Sequence, residues 1–303
     1  MARALRLKRL GHEWGSLLGG RTTHPTKPVP GGFSSLPAVD ELKELKKKLQ
    51  AAGPDLKATL DTVLALAGNV PAFDRPTEYI ALSSDDVYAL YDGEIQSVLP
   101  DGKKQRYPVK DYRKVTNETV VPASTAKFCS NKLDSYAAGA LARLNNNYDT
   151  LTPQAKDAAK ALGIKPICGN PYMNSVAQVV EVVESYHSSL RLIDELIASG
   201  IKDEAPAKPT KWSSGAGATE VPRGILFHEY SYDRSGICTA GNCIIPTNQN
   251  HANIQGDFDK LLPELLTKGK SEREIELAME MLVRAYDPCI SCSTHCMTVT
   301  LVL

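Results

Sequence analysis

Three residues near the end of the chain have the types and spacing to hold a metal: Cys289, Cys292 and His295, in the order C-x-x-C-x-x-H. Two cysteines three apart let both sulfurs converge on one ion from a single turn. Thiolate pairs favour soft or borderline metals: zinc, iron–sulfur clusters, copper(I) or nickel. The competing reading is a pair of unliganded core thiols, because free cysteine packs as a small apolar residue. A thioredoxin-like redox pair fits less well, since that motif follows a strand and here a helical stretch precedes it. Cys238 and Cys243, a C-x-x-x-x-C pair between expected strands, could instead join Cys289 and Cys292 in a tetrahedral zinc site. Ser124 to Lys127 reads S-x-x-K, but the companion motifs S-D-N and K-T-G are absent from the sequence. His187 lies on an apolar helix face and reads as a core histidine.

The elements that must position the cysteine turn are legible around it. Ser271 with Glu274 forms a capping box, and Ile275, Ala278, Met279 and Leu282 make one core face. Pro288 pushes Asp287 out of the helical region, so DPCISCSTH becomes a turn that presents its side chains together. Upstream, GILFHEYSYD and GNCIIPT read as strands around a turn at 234–236, and 202–219 as a loop. A helix over 175–197 carries the stripe Val176, Val179, Val180, Val183, His187, Leu190, Ile193 and Ile197. Between 78 and 107, the runs EYIALSS, DVYALYDG and EIQSVLPDG, punctuated by Asp-Gly, predict a small antiparallel sheet. Nearer the start, a short basic helix is followed by an irregular segment over 11–37. Asp40 then caps a helix bearing Leu42, Leu45 and Leu49, with lysines 46–48 on its solvated face. Gly53 and Pro54 are expected to end it, before a second amphipathic stretch over 55–66. No internal repeat is present.

Composition narrows the partners. The 303 residues include 35 basic and 35 acidic side chains, a net charge of zero, so nothing favours a polyanion such as nucleic acid. At 42% hydrophobic residues the chain reads as an ordinary globular protein with a sizeable core. No run approaches the 18 apolar residues of a membrane span, and the N-terminal segment MARALRLKRLGHEW lacks the apolar region of a secretory signal. Seven cysteines, an odd number, suit a reducing compartment and free thiols.

The string RAYDPCISCSTH resembles the C-terminal signature of nickel–iron hydrogenase large subunits. GGRTTHP and PGGF within 19–33, GATEVPRGILFHEY at 217–230 and IIPTNQNHANI at 244–254 follow in that family's order. The RAYDPC form is most similar to the cytoplasmic branch that passes electrons to a deazaflavin, a nicotinamide or a heterodisulfide-reductase partner.

The resemblance implies a mainly α fold with small antiparallel β elements, an α+β large-subunit domain over 1–295, and reversible heterolytic oxidation of dihydrogen. It implies a nickel–iron centre with cyanide and carbonyl ligands on iron, with Cys289 a terminal nickel ligand and Cys292 bridging nickel and iron. Arg223 would lie over the open face of the metals, Pro222 and Thr247 would line the cyanide pocket, and Asp287 would orient the arginine or assist proton movement. His24 and His228 would pack and hydrogen-bond near the site. His295 would bind magnesium or a similar divalent ion once a maturation peptidase removes residues 296–303. The implied partners, in the cytoplasm, are an electron-acceptor subunit of flavin or heterodisulfide-reductase type and an iron–sulfur small subunit.

Family members hold the metals with two cysteine pairs, and only the second is present here. Either the sequence is truncated, or another polypeptide supplies the first pair. The chain alone is then expected to be inactive and poorly soluble, through apolar surface that the remainder would cover. The alternative is a relative without hydrogenase activity, either metal-free or stabilised by zinc.

Overall fold

A computed structural model describes residues 2–293 apart from 204, 206 and 209; His295 and the 296–303 tail lie outside the described residues. In chain order the first half contains α1 (Ala2–Gly19), β1 (Pro28–Val29), β2 (Gly32–Phe33), α2 (Val39–Leu66), β3 (Glu78–Ser83), β4 (Glu94–Val98), β5 (Lys104–Tyr107), α3 (Arg113–Thr116), β6 (Tyr136–Ala137) and α4 (Ala140–Asn147). There follow α5 (Pro153–Ala161), α6 (Met173–Ser199), β7 (Ser214–Val221), β8 (Gly224–Tyr232), β9 (Cys238–Ile244), α7 (Pro246–Thr267), α8 (Glu272–Ala285) and α9 (Ile290–Ser293). They fall into two compact units: one comprises Met1–Gly68, Thr152–Ala158 and Val180–Lys211, the other the remainder of the chain.

In the first unit two expectations are corrected. The opening helix runs to Gly19, well past the expected start of irregular chain at 11, because Leu10, Trp14, Leu17 and Leu18 pack against Leu42, Leu45 and Leu49. That burial offsets the roughly 1 kcal/mol that a helical glycine costs. Likewise α2 continues through Gly53 and Pro54. Leu56 is buried seven residues after Leu49, so the apolar stripe resumes on the same face beyond the proline. The N-cap is Ala38 rather than Asp40, with the Ala38 N–H donating to the Glu41 carboxylate at 2.8 Å.

The second unit is built on two sheets. One has the order β5-β4-β3-β6, the other β7-β8-β9. One of the two Asp-Gly turns stands where expected: Gly102, at φ +84°, donates to the Leu99 carbonyl at 2.9 Å and closes the β4–β5 hairpin. Three details differ from expectation. The DVYALYDG run is no strand: it forms a bent connection between β3 and β4, with Tyr88 and Ala89 buried. The first sheet is mixed, since β6 pairs parallel to β3. Residues 214–219, expected in a loop for their glycines and serines, belong to an edge strand that pairs with β8 along its whole length. Ile80, Leu82, Ile95, Tyr112, Tyr136, Ile225, Phe227 and Ile244 form the core of this unit.

The capping box of α8 is present: Ser271 N–H and Oγ both donate to Glu274 Oε2, at 3.0 and 2.8 Å. Lys270, ahead of these Ser271 bonds, holds the Glu274 carboxyl down to about 2. A lowered carboxylate stabilises the fold fully above its ordinary value of 4.5 and loses that contribution as pH falls toward 2. Ser271→Ala is expected to cost about 1 kcal/mol at neutral pH, read as a lowered urea midpoint with an unchanged slope.

Candidate metal centre

The cysteine turn hangs from the end of α8. Tyr286 caps that helix and is buried. Its hydroxyl donates to Asp257 Oδ2 at 2.6 Å and accepts from Asn253 Nδ2 at 2.6 Å, both on α7. Arg75 Nε donates to the other Asp257 oxygen at 2.5 Å. Burial pushes the Asp257 carboxyl up, while Arg75 and the tyrosine bond oppose that shift. Asn174 Nδ2 donates to the Ala285 carbonyl at 2.8 Å, while its Oδ1 accepts the Leu141 N–H at 2.9 Å. The last turn of α8 is thus tied to α7 and to the start of α6.

Asp287 follows at φ +50°, in the left-handed region that Asp tolerates better than most residues. Three contacts hold it there. Arg223 Nε donates to its carbonyl at 2.5 Å, Arg223 Nη2 to its Oδ1 at 3.3 Å, and Gln178 Nε2 to its Oδ2 at 3.2 Å. Pro288 follows, and the single turn of α9 brings Cys289 and Cys292 together, with Cα atoms 5.3 Å apart and the sulfurs in disulfide contact. The Cys289 N–H donates to the buried Thr247 Oγ1 at 3.1 Å, on the first turn of α7.

Of the residues singled out in the sequence, Thr247 holds Cys289 and Arg223 holds Asp287, two residues earlier in the chain, while Cys289 meets Cys292 through its sulfur. Pro222 is exposed, and it is the carbonyl rather than the ring that is engaged, as an acceptor from Arg143 Nη2 at 3.0 Å. His228 pairs with Tyr230 at 2.9 Å on β8. The four-cysteine zinc arrangement does not form: among the described residues no three His, Cys, Asp or Glu side chains cluster to hold a metal ion. Cys238 is exposed on β9, its thiol donating to the Ala240 carbonyl at 3.3 Å. Sequence reasoning missed Asn174 and Gln178. Their signal was two amides four residues apart in one helix, a spacing that aligns them on one face.

Tested against a soft metal, the residues fit as part of a donor set. Two sulfurs from one turn converge, and reduction of the pair yields the thiols that ligation requires. Arg223 Nη1 has no partner among the described residues, so the guanidinium keeps a donor available. The described residues supply two sulfur donors and no third.

The α+β unit thus presents a cysteine pair between the first turn of α7 and a hairpin-borne arginine. The chain belongs to the nickel-dependent hydrogenase family, whose model matches residues 135–295. It is 33% identical to the alpha chain of sulfhydrogenase 1 from Pyrococcus furiosus, over 96% of this chain and 67% of that protein. It is 28% identical to an F420-non-reducing hydrogenase chain from Methanothermobacter thermautotrophicus, over 96% of this chain and 65% of the relative. The chain thus spans about two thirds of the length of these relatives. An NAD+-reducing NiFe hydrogenase shares the fold, with a TM-score of 0.83 at 24% identity over 97% of this chain and 68% of that one. The expected large-subunit fold is therefore borne out. Among the described residues, no helix is long and apolar enough to cross a membrane.

Proposed function

We propose that this chain is the catalytic large subunit, or the greater part of it, of a nickel–iron hydrogenase. The observation that carries the reading is the turn Asp287–Cys292, held by Arg223 at Asp287 and by Thr247 at Cys289, on a scaffold of the nickel-dependent hydrogenase family. Cys289 and Cys292 would hold the metals, with the remaining donors coming from outside the described residues. When bound, the centre supplies reversible heterolysis of dihydrogen.

The chain's own residues orient and buffer that chemistry. Thr247 fixes the main chain of Cys289 by accepting its N–H. Arg223 offers a fixed positive donor, oriented in advance by its bonds to Asp287. Asp287 holds the guanidinium through two of its nitrogens and, as a carboxylate half exposed to solvent, can pass a proton outward. Cys292 is exposed and Cys289 half-buried, so the pair lies where further donors can approach it.

The finer assignments belong to the same proposal: cyanide and carbonyl ligands on iron, lined by Pro222 and Thr247, and a divalent ion on His295 after removal of residues 296–303 by a maturation peptidase. An iron–sulfur small subunit would take the electrons and pass them to a flavin or heterodisulfide-reductase type subunit, in the cytoplasm. The test is co-expression with such partners and maturation factors. The purified complex is expected to contain nickel and iron and to reduce a one-electron dye under hydrogen. A complex with full nickel content and no hydrogen-dependent dye reduction would overturn the reading.

A further inference from the structure

Arg143 lies in α4, far in sequence from the cysteine turn, and is almost fully buried at 2% exposure. Its guanidinium grips the hairpin that carries Arg223. Nη1 donates to the Val221 carbonyl at 2.8 Å and Nη2 to the Pro222 carbonyl at 3.0 Å, the two carbonyls immediately before Arg223. Nη1 also meets Glu220 Oε2 at 2.9 Å, and Glu220 Oε1 accepts the Leu82 N–H at 2.8 Å.

The tip itself has little freedom. Val221 pairs with Gly224, so Pro222 and Arg223 form a two-residue hairpin loop. Gly224, at φ +134°, lies against the chain leading into α4: a Cβ there would stand 2.6 Å from Ala138 Cβ and 2.8 Å from the Gly139 nitrogen. Buried ion pairs add little to stability compared with apolar packing of equal volume, so stability alone gives poor reason for the Arg143–Glu220 pair. A planar fork that holds two successive carbonyls, by contrast, fixes the orientation of both peptide planes, which a lysine cannot do.

We infer that Arg143 is a positioning residue for the reaction: it fixes the hairpin tip so that the Arg223 guanidinium is held against Asp287, beside the cysteine pair. The inference rests on the role of Arg223 proposed above.

The experiment is a double-mutant cycle in the nickel-loaded complex, with Arg143→Lys, Arg223→Lys and the double variant. Arg143→Lys is expected to keep full nickel content and lower kcat about tenfold, the size of effect that outer supporting residues have, with KM for hydrogen unchanged. The double variant should then be no slower than Arg223→Lys alone. Independently of activity, Arg143→Lys should speed hydrogen exchange at the Arg223 and Gly224 amides and leave β3 and β4 unchanged. An unchanged kcat in Arg143→Lys, or losses that multiply in the double variant, would overturn the inference while leaving the role of Arg223 intact. If Arg223→Lys alone had no effect, both would fall. If Arg143→Lys does not accumulate as folded complex, Arg143→Gln, which keeps a planar donor without the charge, carries the same test. A loss of kcat that does not compound with Arg223→Lys supports the inference, and full activity overturns it.

Discussion

Replacing Cys292 with serine is expected to lower nickel affinity in the assembled complex by more than about 100-fold, since even supporting residues around a metal contribute 10- to 100-fold. A serine hydroxyl does not ionise near neutral pH and is a hard donor, so it replaces neither the charge nor the softness of a thiolate. The fold should be almost unaffected. Cys292 is exposed on a single turn of helix, where substitutions change stability by no more than about 0.5 kcal/mol. Nickel content by elemental analysis, compared with the thermal midpoint of the same preparation, separates the two effects. A variant that retained stoichiometric nickel would remove Cys292 from the donor set.

Arg223→Lys is expected to lower kcat on the order of 100-fold with nickel retained, the cost typical of losing one preorganised donor. The guanidinium holds the Asp287 carbonyl and carboxylate together, at 2.5 and 3.3 Å. A lysine ammonium, a single point of charge, cannot reach both and still present a donor. The loss should fall on kcat rather than KM, because the interaction acts on the reacting centre. Equal nickel content with undiminished turnover would remove the arginine from the chemistry.

The sequence shows most clearly those features that depend on local chemistry. The α8 capping box, the Asp-Gly turn at Gly102 and the α6 stripe were legible because each is a short pattern with its own physical cause. The elements misread were those decided by packing at a distance. The apolar stripe of α2 outweighs Pro54, and the full register with β8 recruits the glycine-rich β7. The same division holds at the site. Cys289, Asp287, Thr247 and Arg223 stood out through motif strings, and the structure joins them. Arg143, Asn174 and Gln178 bear no motif, since what matters is which backbone carbonyl or carboxylate each reaches across 60 or more residues of chain.

The most direct test is X-ray absorption at the nickel edge of the assembled complex, with and without Cys292→Ser. The expected result is sulfur scattering from nickel in the parent complex and a loss of nickel in the variant. A nickel shell containing only nitrogen and oxygen would contradict the assignment of the C-terminal cysteines to the metal.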